Sequence, residues 1–384
     1  MRRRIFAKIF FISVILIIIF SLAAYLLAKP ILLPIINKEL HKVFKESSVS
    51  GFRLTRDFME FQGIEIKGSA SYDFKIKEAR IYYSLNSIVD KKIEKVLLNE
   101  ISVKINIGKD GLLGLYPFPG VASGGSGKFS IAKFEATNIN LDLTKEGIKI
   151  KGKVSLGWDI PANAIDYVKL NITSLATSLF QAEGITLNAI QDQDEGEFYI
   201  KTINYNKLKI GDVVGKTCLK GNILAISPML VSLFGGNVKG EFNISLDQDM
   251  NYNLRLNSQG LDIKRLVNEM EFNEKFDMTG RLDGEFSLSG KGQDIKDIKG
   301  YFSTDANGGM LVIKDKTFLE NVAKQSNQSL DIIVESFRNY NYNNGIIRLG
   351  MENRNFTMGM SLDGKSGKRS LTVVLHDFNR REKP

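Results

Sequence analysis

Few side chains in this 384-residue chain are equipped for bond-making chemistry: two histidines, one cysteine and one tryptophan. His41 and His376 stand at opposite ends of the sequence, and neither has partners at the spacing of a zinc site. Asp192, Asp194, Glu195 and Glu197 cluster in the run QDQDEGE. That run reads as a solvated hairpin turn, with an oxygen-ligand cation site as the alternative. The phosphate-cradling pattern G-x-x-x-x-G-K-[ST] and the nucleophile elbow G-x-S-x-G do not occur. Cys218 is the sole cysteine, so no intramolecular disulfide forms. Trp158, in Gly157-Trp158-Asp159, reads as a packing aromatic at a turn. This inventory assigns no catalytic residue, no cofactor and no metal. What the chain repeats is apolar side chains at every second position, and the chemistry open to those is the solvation of another apolar body.

The clearest statement of that pattern occurs twice. Gly236-Asn237-Val238-Lys239-Gly240-Glu241-Phe242-Asn243-Ile244-Ser245-Leu246 aligns with Gly280-Arg281-Leu282-Asp283-Gly284-Glu285-Phe286-Ser287-Leu288-Ser289-Gly290. Weaker copies include Ile148 to Leu156 and Ile64 to Gly68. Strict alternation over six to eight residues predicts a strand with one apolar and one wet face. A glycine inside such a strand predicts a bend or bulge.

The other elements must hold such strands in place. Residues Ile9 to Ala28 carry no charge, and as a helix they would span roughly 30 Å, the hydrocarbon thickness of a bilayer. Arg2, Arg3, Arg4 and Lys8 precede them and predict a cytoplasmic N-terminus. The run is long for a cleaved signal peptide and lacks a clean processing site, so it reads as a single-pass anchor. The net charge of +9 is concentrated at the two ends, which leaves a mixed, solvated surface and no nucleic-acid stripe between them. The domain reading is a basic cytoplasmic segment (1–8), the transmembrane anchor (9–28) and an amphipathic juxtamembrane helix (29–50). Then follow an N-terminal β segment (51–118), a Gly/Ser-rich connector (119–128) and a central β segment (129–227). A C-terminal β segment (228–378) and a polar tail (379–384) complete the chain. The amphipathic helix is centred on 31–47, with Ile36, Leu40, Val43 and Phe44 on one side. The loop from Leu112 to Pro119 is unusually apolar.

Strands are predicted near 59–67, 70–77, 79–85, 96–107, 129–135, 137–143, 147–156, 166–172, 174–180, 184–190, 196–204, 207–210, 214–220 and 222–226. Further strands fall near 229–234, 236–246, 251–258, 280–289, 297–305, 309–313, 345–350, 354–362 and 370–377. A turn of helix is expected at Ser84–Asp90, and short helices near 261–271 and 317–337, the latter opening on the capping-box spacing Thr317…Glu320. Roughly twenty apolar stripes thus face only three or four short helices, and every sheet must bury its apolar face. One solution is a stack of sandwiches. The other is a mainly β fold in which an elongated antiparallel sheet curls along its length into a groove, with glycines relieving the crowding of the bend. Candidate groove-lining residues are Val103 and Ile105; Ile139, Leu141 and Leu143; Val154 and Leu156; Leu187; Phe198 and Ile200. The C-terminal half adds Val238, Phe242 and Ile244; Leu254 and Leu256; Leu282, Phe286 and Leu288; and Phe302. An acyl chain is the natural occupant of such a groove.

The segment Gly280 to Phe302, followed by Asn307-Gly308-Gly309-Met310-Leu311-Val312-Ile313, resembles the C-terminal block of the AsmA-like family of YdbH- and TamB-related proteins. Leu233 to Gly240 resembles the repeat before it, and Ala79 to Leu85 the family's N-terminal strand and turn. The resemblance implies an inner-membrane protein of a diderm bacterium with its bulk in the periplasm. It also implies a long β-groove that conducts phospholipid between the inner and outer membranes. At about 4.8 Å per strand such a groove would reach on the order of 90–100 Å, which leaves open whether an outer-membrane or periplasmic protein completes the path. The competing reading is a membrane-anchored scaffold or assembly factor for outer-membrane biogenesis that conducts no lipid.

Overall fold

The computed structural model describes residues 32–375 apart from residues 43, 45, 68–71, 108–129, 146–147, 178–179, 206–207, 248, 293, 316, 318, 321–322, 325–328 and 353–354. The anchor 9–28, the connector 119–128 and the apolar loop at 112–119 lie outside these residues. Among the described residues no helix is long and apolar enough to cross a membrane. The chain is mainly β: eighteen strands are assigned to one sheet and three to a small second one. It divides into two compact units, Met1–Ile172 and Thr173–Pro384.

The first unit opens with a helix over residues 32–42 (α1). It is shorter than the predicted 31–47, because Glu46 already starts a strand. That strand, β1 (Glu46–Leu54), was not anticipated. Its inward positions include Ser47 and Gly51, which break the apolar alternation a strand is recognised by. β2 (Phe58–Lys67), β3 (Tyr72–Tyr82) and β4 (Lys92–Ile107) follow as antiparallel neighbours. The expected helical turn is α2 (Leu85–Val89), closed by a capping box in which the Ser84 and Ser87 side chains each accept from the other's backbone N–H. β5 (Ser130–Lys145) lies parallel to β4, with Lys92 level with Ser130 and Ile107 level with Lys145. This parallel step departs from the expected all-antiparallel sheet. β6 (Ile148–Asp159) returns antiparallel to β5. Trp158 registers with Phe134 inside β6 and is exposed, not packed at a turn.

One line across this unit explains why its strands look interrupted in sequence. Phe61, Ala79, Leu98 and Ala136 form one apolar level, and Ile64, Ile76, Ile101 and Ile139 form another. The two levels are three positions apart on every strand, so strict alternation would put them on opposite faces. Between them Gly63, Glu100 and Asn138 all have positive φ (57°, 53° and 55°), which turns the chain so that both levels share a face. Asn138 is held there by its side-chain N–H donating to Asn99 Oδ1 at 3.2 Å and its backbone N–H to Ser155 Oγ at 3.0 Å.

Several strands that the sequence divides are continuous. The segments 129–135 and 137–143 are the single β5, 70–77 and 79–85 are β3, and 166–172 and 174–180 give way to β7 (Ala164–Ala176), with the next strand opening at Phe180. In the second unit 207–210 and 214–220 are β10 (Leu208–Lys220), with positive φ at Asp212. The segments 222–226 and 229–234 are β11 (Ile223–Leu233), with a register shift between Ile226 and Met229.

The second unit continues as an antiparallel meander: β8 (Phe180–Ile190), β9 (Gly196–Tyr205), β10, β11, β12 (Gly236–Ser245) and β13 (Asn251–Asp262). α3 (Ile263–Glu269) then starts where the Asp262 carboxylate accepts from the Arg265 N–H. The meander resumes with β15 (Arg281–Lys291), β16 (Asp294–Thr304), β19 (Asn344–Glu352), β20 (Asn355–Gly364) and β21 (Gly367–Leu375). A three-stranded sheet of β14 (Phe276–Met278), β17 (Gly309–Ile313) and β18 (Arg338–Tyr342) is threaded between these elements. β14 and β18 are short and were not anticipated. α4 (Leu330–Phe337) occupies the end of the predicted 317–337 helix.

Candidate functional site: the apolar face

Register decides which apolar residues share a face. In the second unit one level runs Leu187, Phe198, Gly215, Met229, Gly240, Leu256, Phe286, Gly300, Leu349, Met358, each opposite the next across ten strands. The next level includes Ile226, Phe242, Leu254, Leu288 and Ile298, and the one beyond it Leu224, Ile244 and Tyr252. On the other side, Val231, Val238, Ser258, Gly284, Phe302, Ile347 and Met360 form a further level. The alternate residues Lys239, Glu241, Arg255, Glu285 and Lys299 are charged; Arg255 pairs with Glu241 across β12 and β13 at 3.2 Å, and Lys299 with Asp297 along β16 at 2.7 Å.

The glycines of the repeat serve a purpose other than the bulge expected of them. Gly240 and Gly284 sit in regular register opposite Leu256 and Phe302. A Cβ on Gly240 would lie 2.5 Å from Leu256 Cδ2 and 2.6 Å from the Arg255 carbonyl oxygen; one on Gly284 would lie 2.5 Å from Phe302 Cδ1. The missing side chain lets the neighbouring strand approach and its large apolar group lie over the gap.

The face has two kinds of environment. Val238, Leu256, Leu282 and Phe302 enter a closed core with Ile263 and Val267 of α3 and with Met278, Leu311, Tyr340 and Tyr342 of the small sheet. Val238 and Leu282 are 6% and 4% exposed. The buried Tyr342 hydroxyl donates to the Thr279 carbonyl, and burial raises its pKa. Phe242, Ile244, Leu254, Phe286 and Leu288 lie on the same face outside that core and are half-buried. Leu187 is buried, and Phe198 and Ile200 are half-buried beside it. In the first unit Val103, Ile139, Leu141, Leu143 and Leu156 gather with Ile76, Ala79, Ile101 and Ala136. Val154 registers with Ile139, and the Ile105 backbone with Tyr72. Residues of the face that the sequence reading passed over include Met229, Leu349 and Met358, whose neighbours Pro228, Gly350 and Gly359 blur the alternation. Among the described residues no group of histidine, cysteine and carboxylate side chains is arranged to hold a metal.

No curated protein and no solved structure matches the chain. The model of the AsmA family matches residues 166–308, from within β7 to Gly308, and over that stretch the chain is AsmA-like.

Proposed function

We propose that this chain is a lipid-transfer protein anchored in the inner membrane of a diderm bacterium. In this reading its apolar β-face carries phospholipid acyl chains through the periplasm toward the outer membrane. The AsmA match suggests a role in outer-membrane assembly and lipid transport. The observation that carries the finer reading is the half-buried row Phe242, Leu254, Leu288 with its neighbour Ile244: apolar, contiguous in register and outside the closed core. Apolar surface of this kind favours an apolar occupant at roughly 25 cal/mol per Å² removed from water, so a two-chain lipid is held without any polar recognition group. The process needs no catalytic residue, since a lipid on a uniform apolar path moves by diffusion.

A photoreactive benzoylphenylalanine placed at Ile244 or Leu254 of the full-length protein in cells tests this directly. Phospholipid adducts at these positions, and none at Asn243 and Asn253 on the opposite face of the same strands, are the expected result. Absence of lipid adducts at all four positions would overturn the reading. A protein adduct at Ile244 in place of lipid would favour the scaffold alternative.

A further inference from the structure

α2 is built inside out. Its one buried residue is Ser87, 7% exposed, while Leu85, Ile88 and Val89 are 70%, 43% and 81% exposed. A helix this short has no stability of its own in water. It is nonetheless fixed at both ends, by the Ser84–Ser87 capping box and by Lys91 at φ 53°, whose N–H donates to the Ile88 carbonyl at 3.1 Å. Its apolar side chains are therefore held outward by design of the backbone and are not loose. The adjacent β1–β2 turn adds exposed Leu54 and is tied to the start of α2 through Tyr83, whose N–H donates to Asp57 O at 3.0 Å and whose hydroxyl donates to Thr55 O at 2.7 Å. Around these apolar groups stand Arg53, Arg56, Lys91 and Lys92, all exposed, against Asp57, Asp90 and, two residues beyond Lys92, Glu94.

The chain's entry points to the same end of the unit. Asn37 of α1 is clamped to Val49 of β1: its amide donates to Val49 O at 3.1 Å and accepts from Val49 N at 2.7 Å. Ser47 Oγ donates to Phe44 O at 2.7 Å, so residues 37 and 44 lie against Val49 and Ser47 in reverse order and α1 runs opposite to β1. Residue 32, the first described, therefore points toward Leu54 and α2, and the uncharged run Ile9–Ala28 lies just upstream of it.

We infer that this tip, Leu54 with Leu85, Ile88 and Val89 inside a cationic rim, docks on the anionic phospholipid surface of the membrane that holds the anchor. Exposed leucine and valine flanked by lysine and arginine match an acyl boundary beneath anionic headgroups. The inference rests on the anchored reading above and adds to it the element that would seat the unit on the bilayer.

The test uses the full chain in lipid nanodiscs, in a Cys218→Ser background, with Val89→Cys carrying an environment-sensitive nitrobenzoxadiazole label. Ile148, also exposed, sits at the opposite end of the strands of this unit and supplies the control as Ile148→Cys. Lipids bearing a doxyl spin label should quench the Val89 probe at least about threefold more than the Ile148 probe, and leaving phosphatidylglycerol out of a phosphatidylcholine disc should weaken that contrast. Leu85→Cys repeats the measurement at a second outward position. Equal quenching at Val89 and Ile148 would overturn the inference. So would an apolar environment at Val89 that lipid spin labels do not reach, which would mean that protein covers the tip. Failure here with lipid adducts intact at Ile244 leaves the transfer reading standing. Docking without adducts would mean surface attachment without lipid carriage.

Discussion

Two stretches of one apolar face meet different fates in the second unit. The repeats Gly236–Ser245 and Arg281–Lys291 each begin in a core and end outside it. At their beginnings Val238 and Leu282 are sealed beneath α3 and the three-stranded sheet. A few residues later Phe242, Ile244, Phe286 and Leu288 carry the same kind of side chain on the same side of the same strands and remain half-buried. Hydrophobicity is common to both stretches, so it does not distinguish closed core from uncovered face. What distinguishes them is whether another part of the chain is folded over the face.

The sharpest way to break this comparison is at the sealed end. Leu282→Ala should cost about 2–5 kcal/mol, because it opens a cavity among Met278, Leu311 and Tyr342 that cannot collapse. Chemical denaturation, read by circular dichroism, would register it, and a loss no greater than that of Ile244→Ala would erase the distinction. Gly284→Val comes next. The new side chain meets Phe302 and the neighbouring backbone, for an expected loss of about 1–3 kcal/mol. An unchanged melting curve would show that the close approach is not required. Tyr342→Phe removes only the hydroxyl bonded to Thr279 and should cost about 1 kcal/mol, measurable as a small drop in Tm. Smallest in stability is Ile244→Asp, at most about 1 kcal/mol for a half-buried site near a strand end. Its effect should appear elsewhere, as loss of lipid adducts at a photoreactive group placed at Leu254. A variant that unfolds while adducts persist in the remaining folded fraction would place Ile244 in the core and reverse the comparison.

Much of the strand pattern was legible because alternation is a local property: β12, β13, β15 and β17 fall within a few residues of where the sequence puts them. The misses have separate causes, the plainest being that β14 and β18 are only three and five residues long. β1 buries Ser47 and Gly51, so its inward face is not apolar. β5, β10 and β11 read as broken because a positive-φ or extra residue resets the side-chain parity while hydrogen bonding continues, and β3 runs between Gly63 of β2 and Glu100 of β4, which carry the same feature. Gly63 and Asn138 are residue types that favour such a position, whereas Glu100 carries no local signal; the three align only because strands distant in sequence are paired.

The sequence by itself determined that the chain is mainly β, that its strands carry an apolar stripe, and that the stripe outnumbers the helices able to cover it. Residue periodicity sets these, and a period of two is written into most of the strands. Tertiary structure decided the rest: that β4 and β5 run parallel, that repeat glycines make room for Leu256 and Phe302, and which part of the stripe becomes core. It also decided that α2 buries its serine and presents its leucine and valine to the outside. Those outcomes depend on which strands pair and what folds over them, and pairing between distant segments leaves no periodic mark in either one.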